Sequence, residues 1–261
     1  IHQPFRGIPG ESSPWSGAEG LLTITAQMPK NPLVFTRILS KMQIQKGFTD
    51  MKGSLYGELT VIGMQGSESF VERVDSYLKE WRRHGGEDTY LAHVSCPRFG
   101  SGEGKSIIKE SMRGQDVYIY CDVFNYGVTY KMHGMIVPMS PDDHYADLKR
   151  IIAAIGGKAR RITVIMPMLY EGRQHKRTTR ESLDCAMMLQ ELVNMGVANI
   201  ITFDAHDPRL MKAVPLMSFD NVMPTYQVLK TLLKHMPELS FDKDHFMVIS
   251  PDEGAIDRNM Y

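Results

Sequence analysis

The run LTVIGM (59–64), apolar apart from Thr60, suits a buried strand. Behind it Phe70, Val74, Tyr77 and Trp81 recur at helical spacing, so the pattern predicts a helix with those four residues on its apolar face. The same order returns downstream. VYIYCDV (117–123) reads as a strand; Leu148, Ile151, Ile152 and Ile155 mark a helix face closed by Gly156 and Gly157; ITVIMPM (162–168) reads as the next strand. Thr178-x-x-Glu181 has the form of a capping box ahead of a helix that carries Cys185, Leu189 and Leu192 on one face and stops at Gly196. NIITF (199–203) resumes the strands, Leu229, Leu232, Leu233 and Met236 predict another helix, and MVIS (247–250) predicts one more strand. This alternation predicts an α/β fold, a three-layer sandwich whose mostly parallel sheet is covered on both faces. In such sheets ligands bind beyond the carboxyl ends of the strands.

Composition narrows the class. The 261 residues are 43% hydrophobic and 23% charged, values of an ordinary globular chain long enough for one large or two modest domains. Thirty Lys and Arg balance thirty Asp and Glu, which argues against a dedicated binder of nucleic acid or anionic membrane. The longest apolar stretches fall far short of the roughly 20 residues that cross a bilayer, so no transmembrane helix is expected. Three scattered cysteines, Cys96, Cys121 and Cys185, form neither a disulfide framework nor a Cys-based zinc site, and a cytoplasmic location is expected. The chain begins with Ile1 and carries no secretory pattern; its first twenty residues hold four glycines and three prolines, and residues 1–53 are expected to form an irregular extension.

Three predicted strand ends carry polar clusters: YEGRQHKRTTR (170–180), DAHD (204–207) and SPDEG (250–254). In the first, Arg173, Lys176, Arg177, Arg180 and His175 suit either a cradle for polyphosphate or a solvated basic loop. In the second, Asp204 and His206 fall on one side if the backbone is extended, as a metal or phosphate site requires; the alternative is a turn ahead of Pro208. A hard Mg²⁺ would favour the carboxylates. GSGEGKS (100–106) is not a P-loop, because that motif needs glycine where Phe99 stands and a buried strand in front; a Gly-rich hairpin or loop is the local expectation. SPDDH (140–144) reads as the cap of the following helix, and the 19 methionines read as core filler.

Taken together and in order, FGSGE (99–103), MRGQDVYI (112–119), GRQHKR (172–177), NIITFDAHD (199–207), FDNV (219–222) and SPDEG (250–254) resemble ribose-phosphate diphosphokinase, also called phosphoribosyl pyrophosphate synthetase. The resemblance runs from about Gly57 to Tyr261. It implies a tandem of two phosphoribosyltransferase-like domains, and transfer of diphosphate from Mg-ATP to the anomeric hydroxyl of ribose 5-phosphate, with release of AMP. By motif, Arg173, Gln174 and His206 match residues that contact ATP. Phe99, Ser101, Gly102 and Glu103 match an adenine-binding loop lent by a neighbouring subunit, which implies a homo-oligomer. Asp204, His206 and Asp252 match residues that hold Mg²⁺. Ser101, His175 and Ala255 depart from the commonest family pattern.

The resemblance also divides the chain. Residues 54–224 are expected to form the N-terminal, ATP-side domain, and residues 225–261 to begin an incomplete second domain. The family's catalytic Lys-Arg loop and its ribose 5-phosphate loop match nothing up to Tyr261, so the catalytic groups are expected beyond it. Two readings follow: an enzyme given in part, or a non-catalytic truncated paralogue that assembles with complete subunits.

Overall fold

The computed structural model describes residues 57–82, 89–242, 244–250, 253 and 256. The expected extension over 1–53 lies outside the described residues. Five parallel strands form the central sheet in the order β1 (Leu59–Gly63), β4 (Asp116–Tyr120), β7 (Arg161–Ile165), β8 (Asn199–Phe203) and β9 (Ser218–Val222). Two antiparallel ribbons stand apart from it, β2 (Val94–Ser95) with β3 (Ile107–Ile108), and β5 (Thr129–Met132) with β6 (Met135–Pro138). The helices are α1 (Glu68–Arg82), α2 (Pro141–Ile155), α3 (Asp184–Asn194) and α4 (Thr225–His235), with a 3-10 helix at Pro208–Ala213. Among the described residues no helix is long and apolar enough to cross a membrane.

The sheet is wound in two directions. Val61 donates its N–H to Tyr90 O at 2.7 Å and accepts from Ala92 N at 2.9 Å, which adds Leu91 as a parallel bridge beside β1. Both backbone groups of one strand residue point to the same edge, so this segment lies on the side of β1 away from β4. Winding therefore reverses between β1 and β4. Helices lie on both faces accordingly: Phe70 of α1 stacks on Tyr120 at 4.4 Å, whereas Ile119, which points the opposite way, belongs to the core with Leu148, Ile151 and Ile152 of α2 and Leu189 and Leu192 of α3. At the switch point itself Asn125 donates to Gly66 O at 3.2 Å, and buried His144 donates through Nε2 to Asn125 O at 2.9 Å. These bonds join the loops that leave β1 and β4.

Local chemistry explains the best-defined helix. Ser140 caps α2 by accepting from Asp143 N at 3.1 Å, and Asp143 returns the bond to Ser140 N at 3.0 Å; Gly156 closes the helix in the left-handed region. Its buried residues include the predicted set Leu148, Ile151, Ile152 and Ile155.

Three sequence expectations are corrected. The predicted apolar face of α1 is only partly inward: Trp81 is 72% exposed and Tyr77 is also exposed, Phe70 is covered on one side by Tyr120 and Val74 is half-buried, while Val71 and Asp75 are buried. The inner face includes a carboxylate because Asp75 accepts from Tyr90 N (2.8 Å), Thr89 Oγ1 (3.1 Å) and Lys79 Nζ (2.8 Å), tying α1 to the Leu91 edge. Thr178 N does donate to Glu181 at 3.2 Å, but α3 starts only at Asp184 with Leu183 as an N-cap that makes no side-chain bond, so this pair closes a loop. Residues 247–250 form no strand; Met247, Val248 and Ile249 are exposed, and an apolar run becomes a strand only beside a partner.

Candidate functional site

Adjacent strands β7 and β8 deliver two polar loops to one end of the sheet. After β7 the chain reaches Glu171, held in the left-handed region (φ 53°), and turns through Gly172 N to Leu169 O (3.0 Å) and Gln174 N to Glu171 O (2.8 Å). This turn leaves Arg173 and Gln174 exposed and brings His175 inward, where Nδ1 donates to Arg173 O at 3.1 Å.

After β8, Asp204 also takes a left-handed conformation (φ 46°), so the extended backbone assumed for placing Asp204 and His206 on one side does not occur. Contacts from β9 impose the bend: Asp204 N donates to Val222 O at 3.1 Å and Ala205 N to Asn221 Oδ1 at 2.9 Å. Asn221 is thus a structural prop of the loop, visible in sequence only as part of FDNV. Asp204 is half-buried and His206 exposed.

The loops meet at His175. Its Nε2 lies 3.7 Å from Asp207 Oδ2, and its ring centroid is 5.1 Å from that of His206. Asp207, buried, also caps the 3-10 helix by accepting from Arg209 N (2.9 Å) and clasps the Arg209 side chain through Nη2 (2.7 Å) and Nε (3.0 Å). The bonds from Arg209 hold the Asp207 carboxyl well below the usual carboxylate range, so it is charged at neutral pH. A cleft of about 530 Å³ opens here, lined by His175, Lys176, Gln190, Asp207, Arg209 and Lys212 among others. Lys176 and Lys212, with Arg209 balanced by Asp207, leave the cleft net positive beside exposed Arg173, which suits an anionic, phosphate-bearing ligand.

The first of these loops lies inside a match to a known family. The model for the N-terminal domain of ribose phosphate pyrophosphokinase covers residues 59–196. The chain belongs to the ribose phosphate pyrophosphokinase family. It is 26% identical to the ribose-phosphate pyrophosphokinase of Bacillus caldolyticus over 170 residues, covering 64% of this chain and 47% of the relative. It is 25% identical to that of Staphylococcus saprophyticus over 201 residues, covering 77% of this chain and 54% of the relative. The chain spans about half the length of the curated relatives it matches. Its fold is similar to the crystal structure of phosphoribosylpyrophosphate synthetase from Mycobacterium smegmatis, with a TM-score of 0.60 and 20% identity over 77% of this chain and 58% of that one. Members of this pyrophosphokinase family are transferases.

The other motif residues lie on a different element. Phe99, Ser101, Gly102 and Glu103 form the turn between Arg98 and Gly104, which pair in an antiparallel bridge, so the Gly-rich segment is a hairpin. Gly102 adopts φ +94°, where a side chain is strained, and donates to Phe99 O at 2.9 Å; Ser101 Oγ donates to Glu103 Oε2 at 2.8 Å. The turn is fixed to the β5–β6 ribbon by His133 N to Gly100 O, 2.9 Å. Phe99 is 54% exposed with Lys105 Nζ 5.7 Å from its ring centre. Asp252 lies outside the described residues.

Proposed function

We propose that the protein is a ribose-phosphate diphosphokinase, transferring the diphosphoryl group of Mg-ATP to the anomeric hydroxyl of ribose 5-phosphate to give phosphoribosyl pyrophosphate and AMP. The observation that carries this reading is the meeting of the two strand-end loops at His175, Asp207 and His206. In it Arg173 and Gln174 take phosphate oxygens of ATP, the guanidinium as a fork, and His206 takes them from the other loop. Arg173 and His206 align the β-phosphorus with the attacking sugar hydroxyl; positioning and electrostatics supply most of the acceleration.

Asp204 and His206, with Asp252, would hold Mg²⁺. Magnesium keeps several waters and binds through one or two carboxylates plus substrate phosphates. One half-buried carboxylate, Asp204, beside a phosphate site fits that habit, and among the described residues no group of three His, Cys, Asp or Glu side chains forms a closed cage. When bound, the ion neutralises phosphate charge.

The Phe99–Glu103 turn serves the adenine: Phe99 stacks on the base, Glu103 accepts from its exocyclic amine, and Ser101 and Gly102 shape the turn. It serves a neighbouring subunit in a homo-oligomer. Residues 54–224 are the ATP half; residues 225–261 open the second domain, whose loops supply the catalytic groups. A cytoplasmic location suits these substrates.

The test is product analysis with the protein expressed from its complete reading frame. AMP is expected from Mg-ATP only when ribose 5-phosphate is present. ADP as the product, or AMP release without the sugar phosphate, would contradict the reading.

A further inference from the structure

The Phe99 turn presents exposed groups at the end of a short hairpin, and a hairpin free to swing would lose much of its binding energy to ordering. Its base is held from inside the domain. The Arg98 side chain points inward and is only 6% exposed; its Nη2 lies 2.9 Å from Asp147 Oδ2 and 3.9 Å from Asp143 Oδ1. The guanidinium also lies 5.0 Å from the ring centre of Tyr130 on β5. Asp147, 3% exposed on α2, uses its other oxygen for Arg150 Nη1 at 2.6 Å. Burial raises the Asp147 carboxyl above its ordinary value, and the hydrogen bond from Arg150 and the charge of Arg98 work against that rise. A Cβ on Gly104, across the hairpin from Arg98, would come within 2.8 Å of Arg98 Nη1 and 3.0 Å of Arg150 Nη1, so the two guanidiniums occupy the space a side chain would need.

We propose that Arg98 and Asp147 are positioning residues for nucleobase recognition: their buried ion pair fixes the hairpin that carries the Phe99–Glu103 turn against α2 and so sets the angle of the turn. This rests on the reading of that turn as the adenine-binding element. An apolar contact at the same place would tolerate sliding, whereas a guanidinium and a carboxylate in hydrogen-bond geometry fix one orientation. The second anchor, His133 N to Gly100 O, holds the far side of the turn to the β5–β6 ribbon, and the two together leave Phe99 and Glu103 directed outward.

The experiment compares binding of Mg-ATP and of inorganic triphosphate with Mg²⁺ to the protein expressed from its complete reading frame by titration calorimetry. The variants are Asp147→Asn and the double variant Arg98→Met with Asp147→Leu, whose apolar pair replaces the buried charges in a manner cores generally tolerate. Thermal melting of each variant establishes that it folds, and the double variant carries the test if Asp147→Asn does not. The expected result is that wild type prefers ATP to triphosphate, and that folded variants bind triphosphate within about twofold of wild type while losing about tenfold in affinity for ATP. A general loss of structure would weaken both ligands together. An undiminished preference for ATP in a folded variant overturns the positioning role. Wild-type protein that binds the two ligands equally, or neither, overturns the adenine reading beneath it.

Discussion

His175 Nε2 lies 3.7 Å from Asp207 Oδ2, across two loops that leave adjacent parallel strands. A residue from GRQHKR and one from DAHD, 32 positions apart, thereby share one charge environment, with His206 beside them. Asp207 is the hub: it faces His175, caps the 3-10 helix and clasps Arg209.

Loss of that hub has a defined consequence. Asp207→Asn is expected to weaken Mg-ATP binding by about tenfold, which is about 1.4 kcal/mol, because His175 and Arg209 lose their common partner. A cost to stability of about 1 kcal/mol would lower the melting temperature by about 2–4 °C. Calorimetric titration and a thermal scan check the two effects separately.

The inner face of α1 is tested by a pair of truncations. Val71→Ala removes two buried methyl groups and is expected to cost about 2 kcal/mol in urea unfolding. Trp81→Ala, despite the larger side chain, is expected to stay within about 0.5 kcal/mol of wild type because it faces water. The reverse ranking would restore the face that periodicity picks out.

That contrast shows where local pattern ends. The continuous apolar runs of β4, β7 and β8 and the Ser140 cap of α2 are legible because each rests on neighbours in sequence. The face of α1 is not, because aromatic bulk dominates the periodicity while the true inner face is set by Asp75 bonding to residues 14 and 15 positions away. The 247–250 run fails for the same reason, since its composition cannot say whether a partner strand is present. At the site, the loops' location at strand ends was readable. The left-handed bend at Asp204 depends on Val222 and Asn221, and the Arg98–Asp147 pair spans 49 positions, so neither leaves a local trace.

Acid should act on α1 through Asp75. Burial alone would raise this carboxyl, but the bonds from Lys79, Tyr90 N and Thr89 outweigh it and hold it below its ordinary value. A carboxyl lowered by folding contributes stability that is present above its unfolded pKa of about 3.9 and is lost as pH falls below it. Asp75→Asn is therefore expected to be less stable than wild type by about 1–3 kcal/mol at pH 7, with the gap narrowing as pH falls toward about 3. Denaturant melts across that range measure it; a gap that widens in acid would refute the assignment.

Helix α4 carries Val228, Leu229 and Leu233 exposed and buries none of its residues; Met236, just after it, is also exposed, and an apolar groove of about 510 Å³ runs along Val228, Leu232 and Met236. Contiguous apolar surface of this kind drives association. The 261-residue chain is expected to self-associate in light scattering, and Leu229→Glu with Leu233→Glu to lower its average mass. An unchanged mass in the double variant would clear this face of any part in association.

On the proposed function, the strand-end loops of this chain bind Mg-ATP. Titration of the 261-residue chain with ATP, with and without Mg²⁺, beside Arg173→Ala and His206→Ala, tests it most directly. Both side chains are exposed, so the variants should fold as wild type does. Magnesium-dependent binding that each substitution weakens by about tenfold or more is expected. Binding equal in wild type and both variants, or no binding by any of the three, would contradict it.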